Sequence, residues 1–411
     1  MRFVLYYVLV LACMATWYWL AKLVMLVSPF YAQQMEPVSP RRTVTLDGLR
    51  GYLALAVYVS HCMFTRHVLA TNEWATDINA FALIGKVGVV FFFMITGFLF
   101  WSRAAATKSP INPWPFYRGR IFRIVPMYLA ASLPIVGLVL YYGRAENAHW
   151  KLVAGSVGSI LTMGVTLWRN LKLFVPNDAQ AGVVWTLTHE GKSYLFFPLL
   201  VMMATPRRFA VLVAAAVTWG AVHQGIDPLR YDRIFLFGMG AAYLVQSRSF
   251  VQLATHRLAG WVSVVLLLLM PLIFTAGYSL PAMCYAFVLF ASFAAGNTVL
   301  GLLIAAGSRV LGSMSYSIYL LHGLVLYLSR PLLRKLMASP DHELYFWLFV
   351  AGMGCVIVLV SALTYRWIEH PFIELEKTMR RKPNAPSTVP VDDQPSITAA
   401  STAAVGSFGA A

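Results

Sequence analysis

Arg50 and His61 are ionisable residues set in an otherwise apolar stretch, eleven positions apart. At about 3.6 residues per turn that spacing is three turns and a small remainder. In a helix both side chains therefore share one face, about 16 Å apart along the axis. Charge at bilayer depth costs at least ~2.5–3.5 kcal/mol, so a charged residue there marks a functional site by default. Arg grips phosphate with a planar, bidentate fork. His titrates near ~6.5 and can take a proton from a hydroxyl at neutral pH. The pair suits a channel with an anion anchor at one end and a base at the other. The bland alternative is an Arg snorkelling at a helix end and a His satisfied by a neighbouring helix.

Three further clusters carry polar groups in apolar surroundings. In the first, Trp185-Thr186-Leu187-Thr188-His189-Glu190-Gly191-Lys192-Ser193-Tyr194, the residues His189, Glu190 and Lys192 either line the outer mouth of a cavity or start an interfacial helix. In the second case Thr188 caps the helix and Glu190 faces its N-terminal dipole. In the second cluster, Tyr316, Tyr319 and His322 repeat every three residues and share a face. The tyrosines there suit helix–helix hydrogen bonds, and His322 suits either role. The third, Tyr365-Arg366-Trp367-Ile368-Glu369-His370-Pro371, ends the last apolar run. Pro371 disfavours helix at His370, and Glu369 has a partner in Arg366 or in an Arg of the site.

The elements that must position these groups are transmembrane helices. Of 411 residues, 59% are hydrophobic and 12% charged, against about a quarter charged in soluble domains. The apolar run Val4–Val27 is too long for a signal peptide's core and lacks a good cleavage site, so it predicts a retained helix. Further runs centre on 46–66, 83–102, 122–142, 185–204, 209–223, 231–246, 259–275, 281–304, 313–329 and 344–366. With no β-barrel alternation, the expected fold class is all-α: a polytopic helix bundle of about ten core spans plus one N-terminal helix. The stretch 152–168 is weaker and is expected to be re-entrant or interfacial.

The net charge of +16 suits cytoplasmic loops, anionic lipid and an anionic substrate such as coenzyme A. Basic residues scattered between apolar runs do not form a nucleic-acid surface. Placing Arg103, Lys108, Arg118, Arg120 and Arg123 in the cytoplasm brings Arg41, Arg42, Arg207, Arg208, Arg248, Arg257, Lys377, Arg380, Arg381 and Lys382 to the same side if 143–184 stays outside. The N-terminus is then outside and the C-terminus inside. Residues 383–411, rich in Ala, Ser, Thr and Pro, are expected to be a disordered tail. The four cysteines lie apart in apolar runs, which predicts neither a structural disulfide nor a metal site.

Taken in order, the motifs resemble the bacterial acyltransferase-3 family of integral membrane O-acyltransferases. Leu46-Asp47-Gly48-Leu49-Arg50-Gly51 with the later His61 is similar to the family's Arg/Lys–His signature. The stretch 88–99 is similar to its second-helix motif, with Thr96 where Ser is usual, and Arg120-Ile121-Phe122-Arg123-Ile124-Val125-Pro126 to its basic loop. Trp185 to Glu190, Ser315 to His322 and Ile368-Glu369-His370-Pro371 are similar to three more. The resemblance covers roughly 43–375, predicting a membrane acyltransferase domain over 43–376, an N-terminal helix and cytoplasmic linker over 1–42, and a basic then disordered cytoplasmic tail over 377–411.

The resemblance implies a multi-pass protein of the bacterial inner membrane. It would transfer an acyl group, commonly acetyl, from cytoplasmic acyl-CoA to a hydroxyl of an extracytoplasmic or lipid-linked glycan. No permanently bound cofactor, metal or nucleic acid is implied, and membrane lipid is the surrounding partner. His61 and Arg50 match the essential pair, with His61 as base or acyl relay and Arg50 on the donor phosphate or thioester carbonyl. Glu190 joins them as a catalytic candidate, and Arg120 and Arg123 as contacts for the nucleotide of CoA. Asp47, Tyr52, Thr96, Trp185, His189, Lys192, Tyr316, His322 and Glu369 are candidates for the substrate pocket. A transporter or flippase for a lipid-linked glycan or other anion needs similar intramembrane charges and is the competing class. Other acyl-transfer signatures are missing: no His is followed by Asp five residues on, and there is no G-x-S-x-G elbow.

Overall fold

A computed structural model describes residues 2–34, 44–76, 78–106, 113–145, 148–162, 183–222 and 231–381. Every regular element among the described residues is helical. Arg41, Arg42, Lys108, Lys382, residues 163–168 of the stretch 152–168 and the tail 383–411 lie outside them.

The helices, in chain order, are α1 (Arg2–Val27), α2 (Pro29–Gln34), α3 (Val44–Thr71), α4 (Asn79–Ala106), α5 (Pro113–Ala145), α6 (Trp150–Leu161), α7 (Val183–Val201) and α8 (Pro206–Val222). They continue with α9 (Arg233–Leu244), α10 (Arg248–Thr255), α11 (Arg257–Ile273), α12 (Leu280–Ala294), α13 (Ala306–Ser313), α14 (Ser315–Met337), α15 (His342–Thr364) and α16 (His370–Arg381). Among the described residues, five helical stretches are long and apolar enough to cross a bilayer: Val4–Val27, Val44–Thr71, Asn79–Ala105, Trp114–Ala145 and His342–Arg380. The number rises to seven if two bent pairs, α9 with α10 (103°) and α13 with α14 (67°), each make one span.

The expected count of about ten core spans is not reached by this measure. The runs at 259–275 and 281–304 yield helices of 17 and 15 residues, short of the ~20 a straight span needs. The run at 185–204 is diluted by His189, Glu190 and Lys192. The apolar part of 152–168 gives a helix of 12 residues.

Two apolar cores hold the bundle. One lies among α3, α4, α9 and α12. A close seam joins α4 to α9, where a Cβ on Gly97 would strike the carbonyl of Phe235 and one on Gly238 would strike that of Met94. Lipid tails are as apolar as Leu, so close backbone approach through small residues is what favours such a seam in a bilayer. The other core gathers α1, α3, α13, α14 and α15. Here α1 is an integral wall: Trp17 is fully buried and donates its Nε1–H to the Ala351 carbonyl at 3.0 Å. Tyr31 in α2 donates to the Ala362 carbonyl at 2.7 Å.

Side-chain pairs fix which ends meet. Arg66, late in α3, pairs with Glu343 at the start of α15, and Tyr6 near the start of α1 donates to the same carboxylate at 3.1 Å. At the opposite end Arg118 of α5 lies 3.5 Å from Glu376 of α16, and Gln34 meets His370 at 2.9 Å. A π-helical turn, Tyr365–Glu369, joins α15 to α16. Against the expectation drawn from Pro371, His370 is helical. The π-helical turn shifts the bonding just before Pro371, with the His370 N–H reaching back to the Tyr365 carbonyl, and the helix continues through the Pro.

Candidate active site

α3 brings Arg50 to the end of the bundle shared with Arg118 and α16, and carries His61 three turns toward the other end. Around Arg50 the bundle leaves a cavity lined by Thr96 of α4, Arg120, Arg123 and Ile124 of α5, Thr186, Glu190 and Tyr194 of α7, and Ser315, Tyr316 and Tyr319 of α14. About 80 Å³ of it is open to the centres of water molecules, room for a handful of waters or one small anion. Of the charged groups lining it, three are Arg (Arg50, Arg120, Arg123) and one is Glu190, so the lining is net positive.

The positive groups are held in place by neutral and acidic neighbours. Glu190 accepts hydrogen bonds from the Thr96 hydroxyl at 3.2 Å and from the Tyr194 hydroxyl. The Arg120 guanidinium lies over the Phe100 ring at 4.5 Å and near that of Tyr194 at 5.7 Å, a contact favourable to a desolvated cation. Behind the cavity wall Asp47 comes within 4.0 Å of Arg50. Glu369, almost fully buried, accepts from the Ser317 hydroxyl at 3.1 Å and lies within electrostatic reach of Arg123 and Arg50. Of the two partners open to it, Glu369 thus goes with the site. Arg366 lies over the rings of Phe30 and Trp367 instead.

His61 lies outside this cavity. Its Nδ1 is 2.7 Å from Nε2 of His322, with the two rings nearly parallel. His322 is fully buried, and among the described residues its Nδ1 has no hydrogen-bond partner. Tyr319 stands between the two parts. It lines the cavity, its ring centroid is 5.9 Å from that of His322, and its hydroxyl is 2.8 Å from that of Thr186. The three-residue repeat of Tyr316, Tyr319 and His322 therefore makes one continuous face, running from the arginines to the histidine pair. Tyr316 donates to the Ile124 carbonyl at 3.1 Å.

The structure separates other candidates from this line. His189, Glu190 and Lys192 fall on different faces of α7, because neighbouring helical positions turn by about 100°. Only Glu190 lines the cavity; His189 pairs with Asp232 at 2.9 Å and Lys192 is exposed. The helix begins at Val183, so Thr188 is interior and not a cap. Trp185 packs with Tyr231 and Tyr278, and Tyr52 meets Ser308 at 2.9 Å. Tyr194 and Asp232 were not anticipated. A signal for Tyr194 existed: it stands four residues after Glu190, one turn along the same face. An acid opening the run at 231–246 likewise marks Asp232 by the cost of charge at membrane depth.

Residues 44–366 match the sequence profile of a family described as an acyltransferase domain. Among curated proteins, the chain is 26% identical over 369 residues to one of Bacillus subtilis (strain 168) named "Putative peptidoglycan O-acetyltransferase YrhL", covering 79% of this chain and 54% of that one. It is 24% identical over 363 residues to one of Komagataeibacter xylinus named "Putative membrane-bound transacylase BcsY", covering 83% and 85%. The chain spans about half the length of the Bacillus relative. No solved structure matches it. The profile covers the Arg50–His61 helix, the cavity and the His322 helix in one match; five of the six motifs read from the sequence fall inside it, and Ile368-Glu369-His370-Pro371 lies just beyond its end. The chain therefore belongs to the acyltransferase-3 family of membrane acyltransferases.

Proposed function

We propose that the protein transfers an acyl group, in the simplest case acetyl, from a cytoplasmic acyl-CoA to a hydroxyl of a glycan on the far side of the membrane. The observation that carries this reading is the alignment of two unlike sites along α3 and α14. A positive cavity lies at the basic end, and a histidine pair lies beyond Tyr319. Arg50, Arg120 and Arg123 suit the diphosphate of CoA, whose charge is opposite to that of the lining. The extended pantetheine arm then reaches past Tyr319 and delivers the thioester to His61. The separation of about 16 Å along the helix supports the phosphate role over the carbonyl role for Arg50. One thioester carbonyl cannot touch both residues, so Arg50 anchors the anionic end.

The histidine pair sets the proton positions. In this reading Nδ1–H of His61 donates to Nε2 of His322 across the 2.7 Å contact. Nε2 of His61 is then a free base. It takes the proton of the acceptor hydroxyl as that oxygen attacks the thioester carbonyl. The C–S bond breaks, an ester forms, and the thiolate of CoA leaves and is protonated from His61. In an acyl relay the same nitrogen would carry the acyl group first.

The test is purified protein in lipid nanodiscs, with release of CoA from acetyl-CoA followed in the presence and absence of glycan. Glycan-dependent release is expected, with loss of about a hundredfold or more in His61→Ala and a large loss in Arg50→Ala. Full activity in either correctly inserted variant would overturn the assignment. A transporter would release no CoA at all.

A further inference from the structure

The turn after α3 places an aromatic pair over the proposed base. α3 ends at Thr71, and Asn72 adopts a left-handed backbone (φ 60°) that reverses the chain. The Thr71 hydroxyl accepts from the Glu73 backbone N–H at 3.2 Å, which tightens the reversal. Trp74 is thereby laid back along α3. Its ring is stacked on Phe64, with centroids 5.4 Å apart and planes 18° from parallel, and lies 5.9 Å from the ring of His61. One indole face is covered by Phe64, yet Trp74 remains 44% exposed. His61 itself is partly exposed and does not line the arginine cavity.

We propose that Trp74, backed by Phe64, is the platform on which the acceptor sugar sits. This rests on the acyl-transfer reading of His61. A pyranose in its chair form has a face of C–H groups and a rim of hydroxyls. An aromatic face is electron-rich and apolar, so it takes the C–H face and leaves the rim free. A sugar ring laid on the exposed part of the indole presents a rim hydroxyl to the adjacent His61. Linear alcohols and lipid hydroxyls have no such face and gain little from the contact. The stacking on Phe64 holds the indole in one plane before the sugar arrives, which lowers the ordering cost of binding. Trp74 is thus a positioning residue for the acceptor and takes no part in moving the proton. The rival role for an exposed Trp at this depth is an anchor in the lipid interface.

The experiment separates this proposal from the acyl-transfer reading by measuring binding without turnover. Chitotetraose and cellotetraose binding to His61→Ala protein in nanodiscs is followed by saturation-transfer NMR, with glycerol as control. Binding of at least one oligosaccharide is expected, weakened about tenfold by adding Trp74→Leu and largely kept with Trp74→Phe. Thermal unfolding of all three proteins should coincide, which excludes a folding defect. In the His61-intact protein, Trp74→Leu should raise KM for the acceptor about tenfold and leave KM for acetyl-CoA unchanged. Equal binding with Trp or Leu at 74, or no oligosaccharide binding to the His61→Ala protein, would overturn the platform. The transfer assay is independent of that result. Trp74-dependent binding without any transfer by the wild type would sink the acyl-transfer reading and leave a glycan-binding site.

Discussion

At the residue scale, the proposed chemistry depends on which nitrogen of His61 is free, and His322 decides that. Removing the His322 ring leaves Nδ1 of His61 without its 2.7 Å partner and lets the ring turn or change tautomer. His322→Ala is expected to lower kcat about 10- to 100-fold with KM for acyl-CoA unchanged. His322→Gln should recover part of the rate, since its amide oxygen can accept the same proton. An equal rise in donor KM would instead place His322 in the donor site. The arginines should show the reverse pattern. Arg123→Ala is expected to raise KM for acyl-CoA about tenfold, the scale of one charge-assisted hydrogen bond, with a smaller effect on kcat. The wild-type KM should also rise with salt more steeply than that of the variant.

At the scale of elements, the site is only as good as the seams that hold α3, α4 and α14 in register. The α4–α9 seam leaves no space for a side chain at Gly97 or Gly238, because each faces a backbone carbonyl that cannot move aside. Gly97→Leu is expected to destabilise the protein by about 3 kcal/mol or more, seen as a lower unfolding temperature in detergent. Gly137, with open space around its Cβ position, provides the control: Gly137→Ala should leave the unfolding temperature unchanged or raise it slightly. Similar shifts for the two variants would mean the seam is looser than described. The bend between α13 and α14 matters in the same way. It sets Ser315 and Tyr316 at the cavity and, two turns later, His322 against His61.

At the scale of the whole molecule, α1 lies outside residues 44–366 yet forms part of the second core. Trp17→Ala should cost about 3 kcal/mol, near the low end for such a change. Lipid replaces water as the alternative environment, so the loss is mainly packing and one hydrogen bond. A Tm equal to the wild type in nanodiscs would mean that α1 merely leans on the bundle. The two ends of the site also predict sidedness. In a protein stripped of its four cysteines, Asn72→Cys should react with a membrane-impermeant thiol reagent in intact spheroplasts. Lys377→Cys should react only after lysis. The opposite pattern would invert the proposed path from donor to acceptor.

Much of this was legible in the chain itself, because transfer to lipid is a local matter. Apolar runs announce helices, and charges within them announce a site, through energies that each residue incurs alone. Helical phase likewise put Arg50 with His61, and Tyr316 with Tyr319 and His322, on shared faces. The number of crossings was less legible, since short or bent helices such as α11, α12 and the α9–α10 pair interrupt runs that look continuous in sequence. The union of His61 with His322, the choice of Glu190 over His189 and Lys192, and the place of Tyr319 between arginines and histidines were decided only by packing. Each depends on contacts between residues distant along the chain, 261 positions apart for the histidines, and a one-dimensional pattern cannot state which faces meet. Arg50 and His61 were marked by their cost in the membrane; tertiary structure gave one of them a cavity and the other a partner.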